Sequence, residues 1–190
     1  MSVFLTRHGQ TDWNKKNFIQ GRIDVPLNET GIQEAKQLRD KLKDTEIDII
    51  FCSPLRRAKQ TAEIINENRN IPIVYESKLL EQYYGEMERK PRAGEAYLSQ
   101  RSRCATRYPG GESYLDVAAR IYPFLNHLNA TMRDKNILLV CHGGISRVIN
   151  SYFKPMENDE FFNFVMENCG LLKYEFPDLP KPDYFEDYQD

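Results

Sequence analysis

The chain has 190 residues, 41% of them hydrophobic and 12% aromatic, with ten glycines and ten prolines. That composition suits one globular domain with a sizeable core and excludes fibrous, collagen-like and low-complexity classes. Lys+Arg 26 against Asp+Glu 28 leaves a net charge of -2, so neither nucleic acid nor an acidic membrane surface is the expected partner, and any affinity for phosphate must come from local clustering.

Short apolar runs alternate with stretches at helical spacing, the pattern of a largely parallel sheet covered on both faces, that is, a three-layer α/β/α fold. The first predicted strand is Val3-Phe4-Leu5. Thr30-Gly31-Ile32-Gln33 reads as a capping box, with Ile32, Ala35, Leu38 and Leu42 on one face of a helix over 31–43. Ile47 to Cys52 is a second strand, followed by a helix for which Ser53 is the expected N-cap and Pro54 the first helical residue, with Leu55, Ala58, Ala62 and Ile65 as its buried stripe. Ile71 to Tyr75 makes a third strand. A long helix is predicted over 113–132 with a kink near Pro123, then a fourth strand from Ile137 to Cys141 and a fifth from Leu171 to Phe176.

No apolar run approaches bilayer length, and Met1 to Arg7 lacks a signal-peptide hydrophobic region, so the expected location is the cytoplasm. The four cysteines (Cys52, Cys104, Cys141, Cys169) show no Cys-x-x-Cys spacing and read as reduced core thiols. Charge is uneven along the chain. Residues 178–190 hold five acids and one lysine, so a domain over 1–177 is expected to end in a solvated acidic tail. Between Arg89 and Arg107 the bias reverses, with Arg89, Lys90, Arg92, Arg101, Arg103 and Arg107 against Glu95.

Arg7-His8-Gly9 follows the first strand, Arg57 lies early in the helix after the second, and His142-Gly143-Gly144 follows the fourth. Strands of common direction deliver such residues to one crevice at their carboxyl ends. Two histidines among arginines, with glycines that admit backbone N–H groups, make an anion pocket. A neutral imidazole is a competent nucleophile toward phosphorus, nearby guanidinium groups keep it unprotonated, and the arginine fork grips two oxygens at once. The leaving alkoxide still needs a proton donor. Glu81, in Leu79-Leu80-Glu81 after the third strand, can supply it, although Glu76, Glu86 and Glu88 lie near enough in sequence to compete.

These residues resemble the histidine phosphatases, a family that includes cofactor-dependent phosphoglycerate mutases, fructose-2,6-bisphosphatases and α-ribazole phosphate phosphatases. Thr6-Arg7-His8-Gly9-Gln10-Thr11-Asp12-Trp13-Asn14 looks like the family signature and Gly21 to Gly31 its continuation. Ser53 to Ala62, Pro109-Gly110-Gly111-Glu112-Ser113 and Val140-Cys141-His142-Gly143-Gly144 complete five blocks in order. The resemblance implies a phosphoglycerate mutase-like fold and a phosphomonoesterase acting on small phosphorylated metabolites. It makes His8 the residue phosphorylated, Arg7, Arg57 and His142 the holders of the phosphoryl group, and Glu81 the acid and then the base. Asn14 and the Gly143 N–H join the phosphoryl contacts, and Gln20, Gly21 and Tyr84 stand with them as candidate substrate contacts. It implies no metal and no cofactor, and leaves a homodimer open.

After Glu81 the chain runs Gln82-Tyr83-Tyr84-Gly85-Glu86-Met87-Glu88-Arg89, where phosphatase members commonly place Trp-Glu-Gly. Tyr84-Gly85 is more similar to the mutases, but the stretch from Glu81 to Gly110 is shorter than the mutase insertion. Enclosing an intermediate from water requires lid material, so hydrolysis is favoured. A mutase that returns the phosphoryl group, and a phospholigand-binding protein without turnover, are the alternatives. Arg101 and Arg103 are candidates for a rim that binds a second anionic group of a sugar bisphosphate or phosphoglycerate. His127 reads as a surface residue and Trp13 as packing beneath the signature loop.

Overall fold

The computed structural model describes residues 2–178. Its sheet is built from β1 (Val3–Arg7), β2 (Ile49–Cys52), β3 (Ile73–Tyr75), β4 (Ile137–Cys141) and β5 (Leu171–Tyr174). The strand order is β3-β2-β4-β1-β5, parallel throughout except for β5, which runs antiparallel along the β1 edge. The helices are α1 (Asp12–Lys15), α2 (Glu29–Lys41), α3 (Arg56–Ile65), α4 (Glu95–Gln100), α5 (Tyr114–Thr131), α6 (Gly143–Phe153) and α7 (Asn158–Asn163).

β4 is buried along its whole length, as a central parallel strand must be. Its side chains alternate between two cores: Ile137, Leu139 and Cys141 pack with Val117, Ile121 and Leu125 of α5 and with Val148 and Ile149 of α6. Leu138 and Val140 pack on the other face with Leu38 of α2 and Ala58, Ala62 and Ile65 of α3. The expected three layers are therefore present, and the parallel strands β1, β2, β3 and β4 deliver the loops that follow them to the sheet's carboxyl edge.

Several local expectations shift. The side chain of Asn28, not Thr30, caps α2 by accepting from Gly31 N at 2.9 Å, so the helix begins two residues early. Asn competes well for this role, and Thr30 sits in the first turn. Ser53 does not cap α3, which begins at Arg56; the Arg56 N–H donates instead to Asp24 Oδ1 at 2.6 Å. α5 continues through Pro123, its start fixed by a capping box between Ser113 and Asp116. Cys52 and Cys141 are buried thiols, but Cys104 is exposed and Cys169 half-buried, so two of the four are not core residues. Among the described residues no helix is long and apolar enough to cross a membrane. The acidic tail expected over 178–190 lies, beyond Asp178, outside the described residues.

Candidate active site

β2, β4 and β1 are neighbours, and their register pairs Arg7 with Cys141 and Cys52 with Val140. The residues that leave these strands, His8, Ser53 and His142, consequently emerge within one residue of a common level. Backbone bonds fix that level: His8 N donates to Cys141 O at 3.0 Å and Ser53 N to Val140 O at 3.0 Å.

His8 is 2% exposed. Its Nδ1 lies 2.7 Å from Gly9 O, and a carbonyl can only accept, so Nδ1 carries the proton. Nε2 is then the lone-pair nitrogen, and it accepts from Arg57 Nε at 3.1 Å. Burial, and after it the charges of Arg57 and Arg7, push the His8 pKa well below 6.5. The neutral imidazole expected from the sequence follows, with a defined tautomer.

Arg57 is 1% exposed and among the largest fully buried side chains. Its Nη1 and Nη2 donate to Ile23 O at 2.8 Å and Gly21 O at 2.7 Å. Burial lowers its pKa to about 10, which leaves it charged at neutral pH. Gly21, at φ +52, holds a left-handed turn that favours glycine, and its carbonyl is spent on Arg57. Arg7 donates from Nη1 to Met166 O at 2.8 Å, while its Nε is buried with no partner. Gly9 N, next to the nucleophile, donates to Thr61 Oγ1 at 3.0 Å, which ties the first strand's loop to α3.

His142 is fully buried, its ring centroid 5.2 Å from that of His8. Its Nε2 lies 2.7 Å from Ser53 Oγ and its Nδ1 has no partner. Burial first, then Arg57, His8 and Arg7, hold its pKa well below 6.5. Gly143 opens α6, and its backbone N–H makes no hydrogen bond among the described residues, so it is free for an anion.

Glu81 is 5% exposed, and it is the glutamate that the fold brings to α6: Oε2 accepts from Gly144 N at 3.2 Å and Oε1 from Gln82 N at 2.9 Å. A Cβ on Gly144 would stand 2.7 Å from Glu81 Oε1 and 3.0 Å from Tyr84 Oη, so the glycine is what admits the carboxylate. The competitors are engaged elsewhere. Glu76 accepts from Lys78 N at 2.8 Å, Glu88 from Arg22 N at 2.8 Å, and Glu86 is exposed. The Pro109–Ser113 block finds its purpose here as well. Glu112 pairs with Arg22 at 2.9 Å and Arg120 at 3.1 Å, and both arginines approach the Glu81 carbonyl at 3.4 Å.

The remaining candidates separate. Asn14 Oδ1 accepts from Thr11 N at 3.1 Å in the capping box of α1, leaving its amide nitrogen without a protein partner among the described residues. Gln20 is buried with Oε1 3.1 Å from Thr11 Oγ1. Tyr84 is 2% exposed, packed against Tyr97 and Tyr108. Of the basic stretch, Arg92 is the residue that reaches the site: with Arg7, Gly143, Arg147 and the 164–166 segment it lines a cavity of about 80 Å³. Arg101 donates to Phe162 O at 3.2 Å and Arg103 is exposed; neither lines that cavity. Arg147, four residues after Gly143 on the same face of α6, could have been found from that i, i+4 spacing. His127 is exposed, and Trp13 is half-buried with its ring centroid 6.1 Å from that of Phe18. Among the described residues no group of three or more His, Cys, Asp or Glu side chains is placed to hold a metal ion.

A mostly parallel three-layer α/β fold whose carboxyl edge presents two neutral histidines, buried arginines and a buried carboxylate at the start of α6 is the frame of a phosphoryl-transfer enzyme. The chain belongs to the histidine phosphatase superfamily (branch 1), whose sequence profile matches residues 3–179. It is 40% identical over 144 residues to the Bacillus subtilis phosphatase PhoE, covering 75% of this chain and 72% of that one. It is 33% identical over 172 residues to a phosphoglycerate mutase of Schizosaccharomyces pombe, covering 83% and 82%. Among solved structures it resembles a mycobacterial glucosyl-3-phosphoglycerate phosphatase in complex with VO3, with a TM-score of 0.82 and 28% identity over 90% of this chain and 91% of that one. Phosphatases and mutases of this family act through a phosphohistidine intermediate, and this chain is an enzyme of that superfamily.

Proposed function

We propose that the protein hydrolyses small phosphate monoesters, with His8 Nε2 as the nucleophile. The observation that carries the proposal is the fixed tautomer of His8, whose Nδ1–H is held by Gly9 O while Nε2 faces the Arg57 guanidinium. In the first step the Nε2 lone pair attacks phosphorus, the ester P–O bond breaks, and the Glu81 carboxyl passes its proton to the departing alkoxide. In the second, water attacks the phosphohistidine, the Glu81 carboxylate takes a proton from that water, and the P–N bond breaks to release phosphate and restore the imidazole. Arg7, Arg57, the Asn14 amide, the Gly143 N–H and His142 hold the equatorial oxygens, where charge spreads in the transition state.

The cavity beside Arg7 favours substrates with a second anionic group. Arg147 gives Nη1 to Tyr114 Oη and Nη2 to Phe164 O and lies over the Tyr114 ring at 5.5 Å, with only its Nε left without a partner among the described residues. Arg92 is the freer donor: its one protein acceptor among the described residues is Phe18 O at 3.4 Å, and no carboxylate lines the cavity. A carboxylate or second phosphate on a neighbouring carbon of the ester would meet it. Phosphoglycerates and small sugar bisphosphates are therefore the first substrates to try.

The test is a panel of phosphate esters followed by phosphate release, with 3-phosphoglycerate run with and without 2,3-bisphosphoglycerate. Free phosphate is the expected product. Accumulation of the isomer instead would make the protein a mutase, and no turnover of any ester would make it a phospholigand-binding protein.

A further inference from the structure

Ser53 is the expected N-cap that caps nothing, and its hydroxyl has two protein neighbours. Leu55 N donates to Oγ at 3.4 Å, and His142 Nε2 lies 2.7 Å away. Ser53 is fully buried, and its hydroxyl hydrogen has no other acceptor among the described residues than His142 Nε2. The direction of the Ser53–His142 bond then follows from satisfying each atom. If the imidazole donated from Nε2, Oγ would receive two N–H groups and its own hydrogen would have no acceptor, while Nδ1 kept an unused lone pair. If the hydroxyl donates, Oγ gives one hydrogen bond and accepts one, Nε2 accepts, and a single group is left unpaired, the Nδ1–H. Nε2 is occupied in either case, so any contact from His142 to a phosphoryl group must run through Nδ1.

We infer that Ser53 is a positioning residue: its hydroxyl hydrogen fixes His142 as the Nδ1–H tautomer and so presents a neutral N–H donor, not an imidazolium, to the phosphoryl group at His8. The two histidines thus hold the same tautomer through opposite means. In His8 a carbonyl acceptor fixes the proton on Nδ1; in His142 a hydroxyl donor at Nε2 drives it there. The depressed pKa of His142 agrees with a ring that stays neutral near pH 7. A tautomer set in this way costs no reorganisation when the oxyanion arrives, which is where a preorganised donor gains its effect.

The inference deepens the phosphoryl-transfer reading and rests on it for what the N–H addresses. The tautomer itself is read without turnover. Three histidines make the measurement tractable: in long-range ¹H–¹⁵N correlation spectra of histidine-labelled protein at pH 7, His8 is identified by its loss in His8→Ala, and the exposed His127 by its loss in His127→Ala. The remaining ring should show a protonated Nδ1 and a lone-pair Nε2. In Ser53→Ala that ring should populate the other tautomer, with kcat reduced roughly tenfold to a hundredfold and KM little changed. A protonated Nε2 or an imidazolium in the unaltered protein would overturn the inference whatever the variant does. So would an unchanged tautomer and kcat in Ser53→Ala. The expected tautomer in a protein that forms no phosphohistidine would instead overturn the catalytic reading and leave the Ser53 assignment standing.

Discussion

Arg57 Nε donates to His8 Nε2 at 3.1 Å, so the nitrogen with the nucleophilic lone pair is already bonded to a cation. The bond opposes protonation and aims the ring; when phosphorus approaches, the same N–H can pass to an equatorial oxygen. Arg57→Lys keeps the charge and loses the fork that also grips Gly21 O and Ile23 O. Turnover in Arg57→Ala should fall by roughly two to three orders of magnitude, the effect of removing about 2.7–4 kcal/mol of transition-state stabilisation. Arg57→Lys should recover only a small part. Steady-state kinetics beside thermal melts check both, and a variant that folds and turns over within tenfold would remove Arg57 from the reaction.

The pH dependence has a defined sign. His8 and His142 both titrate well below 6.5 in the folded chain, chiefly because they are buried. Above about pH 6.5 both are neutral, folded or unfolded, and stability is intact. As pH falls below that value the unfolded chain binds protons that the folded chain does not, and stability is lost at up to about 1.4 kcal/mol per pH unit for each ring. Denaturant melts between pH 5 and 6.5 should therefore show a shallower slope in His8→Gln than in the parent. An equal slope would contradict a depressed His8.

The approach of Glu81 to α6 depends on a missing Cβ. Gly144→Ala places a methyl group 2.7 Å from Glu81 Oε1 and must displace the carboxylate, which is the movable partner. Its effect should follow the leaving group: hydrolysis of alkyl phosphates should suffer much more than hydrolysis of aryl phosphates, whose leaving groups need little protonation. Glu81→Gln should show the same split. Equal losses for both substrate types in Glu81→Gln would mean that another residue is the acid.

How far the sequence could be read depended on range. β4, with Ile137 to Cys141 apolar without interruption, and the β1–Arg7-His8 and β4–His142 junctions were legible, because a buried parallel strand and a following glycine leave strong local marks. Helix starts were less so. Asn28 and Thr30 both suit a cap, and the choice between them rests on how the chain returns from the signature loop, where Asn28 N donates to Gln10 O at 3.0 Å. Ser53 reads as a cap by every local rule, and only the strand order β2-β4 places it against His142. Arg92 was visible as charge, but nothing in the run from Arg89 to Arg107 distinguishes the one arginine that the loop folds back onto the site.

Arg92 and Arg103 make a matched pair for substrate recognition. Arg92 lines the cavity with Arg7, whereas Arg103 is exposed and outside it. Arg92→Ala should raise KM roughly tenfold or more for phosphate esters that also carry a carboxylate or second phosphate, with little change for neutral esters, as expected for loss of one charge-assisted contact. Arg103→Ala should change neither. The opposite ranking would return the second anion to the outer part of the basic stretch.

The chemistry at His8 Nε2 is tested most directly by a rapid acid-free quench during turnover of a phosphate ester labelled at phosphorus. The protein should carry a phosphoryl adduct stable to alkali and lost in acid, mapped to His8 and absent from His8→Ala, which should also be inactive. Steady hydrolysis without such an adduct, or full activity in His8→Ala, would contradict phosphohistidine chemistry in this protein.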